Sequence, residues 1–333
     1  MSIRRTSGLV GILSLSLVLA GCGSSSEDGG SEASEKNSTR VFAADNGKIT
    51  IPADPKRVVA TGYAVPALIE ADAPLVGISS WKRGEPMMSK EDLAEYKKLT
   101  KVAGEQAAET NYEAIAEAEP DLIVIGVPAP VLGDIDVERL ESIAPVVAIG
   151  PSLPSAWRDL SRKQADAAGA TEEFDAGQKA YEAKAAELKT KYADVLSQLQ
   201  LGHVGAYGEV AKGNFHREFG GSWGTNIAQD VGATYYGKVK KAGPGSAAVS
   251  EYPSIEELPD AFAEADALTY SVNADGSVSE AVQYVLDSKL WKNLPAVKAG
   301  KTFPLRYTEA ATYGSAMNTL DAIDTSFAPL LKR

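Results

Sequence analysis

Short apolar runs punctuate the chain from residue 41 onward, and their spacing predicts strands that alternate with helices. Val41-Phe42-Ala43-Ala44 and Lys48-Ile49-Thr50-Ile51 flank Asp45-Asn46-Gly47, and Asn-Gly between two such runs predicts a β-hairpin. Pro52 and Pro55 end it. Further short strands are predicted over residues 57–60, 75–78, 122–125 and 146–149, separated by helix-like stretches such as 111–119. Strands that are apolar on both faces and alternate with helices predict a parallel, helix-covered sheet. The pattern then changes. From Thr171, taken as an N-cap, Phe174, Tyr181, Ala185, Leu188, Tyr192, Val195 and Leu199 recur at helical spacing. Such a helix of about 27 residues would be roughly 40 Å long, enough to run between two lobes. Beyond it the alternation restarts, with strands predicted near 202–207, 267–272 and 302–305 and helices near 226–231 and 314–330. The expected fold class is therefore α/β, two similar lobes bridged by a long stiff α-helix. The expected divisions are 1–21, 22–39, a first lobe over 40–153, a helical segment over 154–200 and a second lobe over 201–333. No short-period repeat interrupts this plan.

The first 39 residues follow a different rule. Arg4 and Arg5 precede an apolar stretch over residues 9–20, too short to span a bilayer, and Leu19-Ala20-Gly21-Cys22 closes it. Cys22 is the only cysteine in the chain. Residues 1–21 read as a secretory signal and Cys22 as a lipidation site, giving a membrane anchor on the extracytoplasmic face. Diacylglycerol on the thiol and an acylated amino terminus would supply the two signals that stable anchoring requires. Residues 22–39, rich in Ser, Gly and Glu, read as a flexible tether.

Composition removes several function classes. The 333 residues carry 44% hydrophobic positions, enough for a substantial core, and a net charge of −12 that becomes more negative once Arg4 and Arg5 are removed. Such a surface repels nucleic acid. The only histidines are His203 and His216, and no nucleophile elbow, P-loop or His-Glu-x-x-His motif is present, so the chain reads as a non-enzyme without a cofactor or multi-histidine metal site. A cell-wall hydrolase or esterase lipoprotein is the alternative outside binding proteins. Aromatic residues carry more information because they sit where strands become loops: Tyr63, Trp81, Trp223, Tyr307 and Tyr313. In open α/β sheets ligands bind beyond the carboxyl ends of the strands. These five predict a cleft between the lobes, with Trp223 and Tyr313 on one wall and Trp81 and Tyr63 on the other.

Three ordered segments give this plan a family. Pro55-Lys56-Arg57-Val58-Val59, then Asn111-Tyr112-Glu113-Ala114-Ile115 with Glu119-Pro120-Asp121-Leu122-Ile123-Val124, and finally Trp291-Lys292-Asn293-Leu294-Pro295-Ala296-Val297-Lys298-Ala299-Gly300 resemble the class III substrate-binding proteins of ABC importers. The likeness covers roughly residues 40–331. It implies two Rossmann-like lobes, a monomer, small closure on binding, and a ligand drawn from ferric siderophores, haem or cobalamin. It also agrees with a lipid anchor, since a Gram-positive cell has no outer membrane to retain a free binding protein.

Charge narrows the ligand. A ferric tris-catecholate carries about three negative charges and needs clustered Arg or Lys. Catecholate-binding relatives have an Arg after Gly-Ser in a second-lobe loop, where this chain reads Gly221-Ser222-Trp223-Gly224; hydroxamate receptors of Gram-positive bacteria are similar in having Trp-Gly there. A ferric hydroxamate, ferrioxamine-like, is therefore the expected ligand, with haem or cobalamin as the alternative. The stretch from Arg306-Tyr307 to Tyr313-Gly314-Ser315-Ala316-Met317 also resembles enterobacterial hydroxamate receptors. The pocket Arg and Tyr of those receptors are missing near Glu105-Gln106 and Val127-Pro128, so the donor is expected among Arg83, Arg217 and Arg306. Finally, the resemblance implies one surface glutamate per lobe for docking to the transmembrane permease subunits. These fall on Glu113 and Glu256, with Glu257 a competitor for the second.

Overall fold

The computed structural model describes residues 38–208 and 210–332; the expected signal segment, Cys22 and most of the expected tether lie outside them. The first strand, β1 (Thr39–Ala44), takes in Thr39, one residue of the stretch expected to be tether. It pairs with β2 (Gly47–Pro52) as an antiparallel hairpin, with Ala44 opposite Gly47. The two-residue turn is thus Asp45-Asn46 rather than Asn46-Gly47, and Gly47, at φ 123°, begins the return strand. This frees Asn46 to donate to the Val146 carbonyl (3.0 Å) and accept from the Ala148 N–H (2.9 Å). The hairpin tip thereby caps an edge strand that would otherwise expose unpaired backbone.

That edge belongs to the first-lobe sheet: β3 (Val58–Gly62), β4 (Leu75–Ser79), β5 (Lys101–Ala103), β6 (Leu122–Gly126) and β7 (Val146–Ala148), in the order β5-β4-β3-β6-β7 and parallel throughout. Every residue of β3 and β6 is buried, as their unbroken apolar sequences require of strands covered on both faces.

The long helix runs from Thr171 to Leu196, 26 residues, or about 39 Å. Its N-cap is Ala170, so Thr171 is its first helical residue and makes no side-chain cap. Phe174, Tyr181, Ala185, Leu188, Tyr192 and Leu196 form its buried face. A preceding helix, Trp157–Ala167, packs beside it.

The second-lobe sheet is β8 (Leu201–Val204), β9 (Arg217–Glu218), β10 (Ser250–Glu251), β11 (Ala267–Ser271) and β12 (Thr302–Leu305), ordered β10-β9-β8-β11-β12. Here the lobes differ. Only β8, β11 and β12 are parallel, because the chain returns from β8 to β9 through a loop without a crossover helix, and β9 and β10 run antiparallel. The closing helix spans Tyr313–Phe327, followed by a 3₁₀ turn over Ala328–Lys332.

One continuous core crosses from lobe to lobe. Val58 and Leu122 of the first sheet, Tyr181 and Leu188 of the long helix, and Leu201 and Phe303 of the second sheet belong to the same buried cluster. A polar tie reinforces it. Glu70, the last residue of helix Ala64–Glu70, accepts hydrogen bonds from Gly314 N (2.9 Å), Ser315 N (3.2 Å) and the Thr312 hydroxyl, and so caps the second-lobe helix Tyr313–Phe327 from the opposite lobe.

Candidate functional site

The site is assembled where strand ends of the two sheets face each other. Tyr63 follows β3 and is placed by a close approach: Gly62, at φ 61°, lies so near β6 that a Cβ there would sit 2.5 Å from the Gly126 carbonyl oxygen. Only glycine allows that turn. Trp81 follows β4, its N–H held by the Tyr96 hydroxyl (2.8 Å), and its ring covers Gly84. Tyr63 and Trp81 meet edge to face at 4.8 Å. Across from them Trp223 lies in the glycine-rich loop after β9. Its ring stacks on Tyr63 at 6.1 Å with only 6° between the planes, and meets Tyr207 at 6.0 Å with the planes tilted by 43°. The flanking Gly224 is pressed onto His203, where a Cβ would stand 2.1 Å from Nε2. The Trp223 Nε1–H is buried and without a hydrogen-bond partner among the described residues.

The three expected arginines separate cleanly. Arg83 lies 4.1 Å above the Trp81 ring and 5.0 Å above that of Tyr63, and its Nε is 3.6 Å from Glu105. It lines an interlobe cleft of about 470 Å³ with Pro86 and Met87 of the first lobe and Ala206, Asp275, Tyr307 and Glu309 of the second. Arg306 is exposed and lines an adjoining hollow of about 390 Å³ that shares Val272 and Tyr307 with the cleft. Arg217 is elsewhere. Its guanidinium lies on Phe219, Tyr236 and Phe262 and faces Glu251 at 3.7 Å, inside the second lobe, so its expected place in the cleft is corrected. Tyr313 requires the same correction. The helix start held by Glu70 turns its ring toward the long helix, where Trp157 (4.9 Å), Tyr181 (5.3 Å) and Phe174 (5.4 Å) surround it. Tyr307 remains at the cleft, with a left-handed backbone (φ 59°) held by the Thr319 hydroxyl on its carbonyl (2.7 Å).

Two residues escaped the sequence reading: Tyr207, which packs against Trp223, and Glu309, which lines the cleft. Both obey the strand-end rule, since they follow β8 and β12. Glu309 is partly exposed, and its carboxylate has no hydrogen bond or ion pair among the described residues; burial raises its pKa and the Arg83 charge pulls it back. Burial and a hydrogen bond with Tyr207 also raise that of the Tyr63 phenol.

Behind these rings the second lobe buries several polar side chains. His203 contacts Thr269 Oγ1 (2.7 Å) and Ser271 Oγ (3.1 Å), and burial pushes its pKa down to about 3. His216, pushed down to about 4, stacks on Tyr252 at 4.6 Å. Glu218, pushed up to about 7 by burial, accepts the Gly224 N–H and so anchors the loop that carries Trp223. Among the described residues no group of His, Cys, Asp and Glu is placed to hold a metal ion, and no helix is long and apolar enough to cross a membrane.

The sequence profile of the periplasmic binding protein family matches residues 58–307, three quarters of the chain. The chain belongs to that family. This binding protein is 29% identical over 300 residues to the iron(3+)-hydroxamate-binding protein YxeB of Bacillus subtilis, covering 89% of this chain and 87% of YxeB. It is 30% identical to the probable siderophore-binding lipoprotein YfiY of the same organism, covering 93% and 94% of the two chains. Among solved structures, the siderophore periplasmic binding protein from the fuscachelin gene cluster of Thermobifida fusca superposes with a TM-score of 0.66 at 31% identity. That match covers 83% of this chain and 98% of that one. The family is one of binding proteins rather than enzymes, and its two-lobed α/β architecture with a connecting helix is the one described above.

The two expected docking acids lie on the outer surface at helix starts. Glu113 sits in the first turn of helix Tyr112–Glu117 and pairs with Arg139. Glu256 is exposed, and its carboxylate has no partner among the described residues. Glu257 is engaged internally: it closes a capping box with Ser254 and pairs with Lys240.

Proposed function

We propose that this binding protein captures a ferric hydroxamate siderophore between its lobes and hands it to the transmembrane subunits of an ABC importer. The observation that carries the ligand class is the composition of the cleft. Its lining is mostly apolar and small polar residues with Tyr307, and Arg83, the one basic residue lining it among those described, lies over the Trp81 and Tyr63 rings and is already matched by Glu105. A tris-catecholate with about three negative charges would find no cluster of cations there, whereas a neutral or positive hydroxamate complex needs only ring faces and one or two donors. Arg83 supplies guanidinium donors at the cleft. The hydroxamate and siderophore relatives support the same reading.

Titration of the Trp fluorescence with a ferric trihydroxamate, a ferric tris-catecholate, ferric citrate, haem and cobalamin tests it. Saturation by the trihydroxamate at least tenfold tighter than by the others is expected. Tighter binding of any of the other four would overturn the hydroxamate assignment. We also place the protein on the extracytoplasmic face through lipid on Cys22. Release of a folded Cys22→Ser protein from the membrane fraction is the expected result, and retention would refute the anchor.

A further inference from the structure

Formal charges at the cleft do not cancel, and the excess is at one residue. Arg83 is matched by Glu105 at 3.6 Å. Asp275 is hydrogen-bonded by Ser277 and lies in the field of Arg306, whose guanidinium rests against Gly276. Glu309 alone is left without hydrogen bond or ion pair, although it lines both the cleft and the narrow gap beneath Trp81 that Glu70 and Met87 also border. Its backbone is fixed on both sides: the Thr308 hydroxyl donates to Ser271 Oγ at 3.0 Å, and Ala310 is fully buried. A carboxylate held in place, partly withdrawn from water and without a hydrogen bond costs desolvation that the nearby Arg83 charge offsets only in part.

We propose that Glu309 is a cation-recognising subsite, specific for a protonated primary amine pendant on the bound ferric trihydroxamate. This rests on the hydroxamate reading and deepens it. The ferric centre and its hydroxamate oxygens face Tyr307 and Arg83, and the ammonium group reaches Glu309, supplying the hydrogen-bonding partner that the carboxylate lacks. Neutral trihydroxamates bind without this contact, and anionic ferric complexes are repelled by it.

The test compares a linear ferric trihydroxamate bearing one terminal amine with its N-acetylated derivative, by calorimetry on the wild type, Glu309→Gln and Glu309→Asp. The wild type should prefer the amine about tenfold, a preference that shrinks as salt is raised. Glu309→Gln should erase the preference by lowering affinity for the amine complex to that for the acetylated one, and Glu309→Asp should keep a reduced preference. Equal wild-type affinities for the two complexes would overturn the cation subsite while leaving the hydroxamate reading intact. Loss of both affinities together in Glu309→Gln would make Glu309 part of the common wall and likewise overturn it. Failure of the wild type to bind either complex would reject the ligand class itself.

Discussion

Replacing Glu70 by Gln should remove a pH dependence from stability, because this carboxylate is held between the lobes. Its pKa is pushed from 4.5 up to about 7 by burial, against the opposing pull of Thr312, Gly314 and Ser315. The folded chain therefore holds this proton more tightly than the unfolded chain. The stability it contributes is complete below about pH 4.5 and is lost as pH rises to about 7. At about 1.4 kcal/mol per pK unit the full shift would amount to about 3 kcal/mol, and the residual solvent access of Glu70 reduces this to about 2 kcal/mol. In the wild type the effect is masked. Glu218, pushed up to about 7, acts in the same direction, while His203 and His216, pushed down to about 3 and 4, cost stability as pH falls below 6.5. The difference between wild type and Glu70→Gln isolates one group. Measured by thermal denaturation from pH 8 to pH 4.5, the wild type should gain about 2 kcal/mol on the variant, or about 3 °C for a chain of this size. A difference that stays constant over that range would show that Glu70 titrates as an ordinary surface acid, and the buried interlobe cap would be wrong.

Trp223→Ala removes the ring that stacks on Tyr63 and packs against Tyr207 and should weaken siderophore binding by about 2 kcal/mol or more, some thirtyfold; an unchanged Kd in a folded variant would reduce the ring to packing. Arg83→Ala should weaken binding about tenfold with little effect on stability. Arg217→Ala should do the reverse, because its stem and guanidinium cover Phe219, Tyr236 and Phe262; equal affinities in wild type and Arg83→Ala would remove Arg83 from the site. Replacing Glu113 and Glu256 together by Ala should abolish most transport in cells while leaving Kd within about twofold, since two contacts on one rigid body reinforce each other only when both are made. Wild-type import by that double variant would refute the docking role.

The fold was legible wherever burial on both faces wrote an unbroken apolar run. The runs at 122–125 and 146–149, and the period of Phe174, Tyr181, Ala185, Leu188 and Tyr192, each gave an element of the right type within a few residues. Strands β9 and β10 were not legible, because two residues each are too few to show a period, and β5 was missed for the same reason. The site was legible as a rule about strand ends rather than as a list of rings. That rule put Tyr307 in the lining of the cleft and brought Tyr63, Trp81 and Trp223 together as a packed cluster behind it. It failed at Tyr313, where a helix start, not a strand end, sets the direction of the side chain. Arg217 misled for a related reason: its sequence position beside the Trp223 loop says nothing about which face of a two-residue strand it takes. Glu309 was passed over because a lone acid in a loop has no pattern; only the absence of a partner in three dimensions marks it.

Rigidity and selectivity are then assigned to different parts of the molecule. The core that runs through the long helix, together with the Glu70 cap, leaves little freedom for one lobe to swing on the other. Tyr63, Trp81 and Trp223 are already packed ring against ring and nearly buried, so their side-chain entropy has been given up during folding rather than on binding. They form a preformed aromatic backing to the cleft, which fixes its shape for any chelate of adequate size and so discriminates poorly. Discrimination must come from the residues whose charges remain accessible at the cleft. Arg83 is balanced by Glu105 and Asp275 lies in the field of Arg306, which leaves Glu309 as the charge a ligand can answer. Altering the backing should therefore change affinity for every chelate together, whereas altering Glu309 should reorder them.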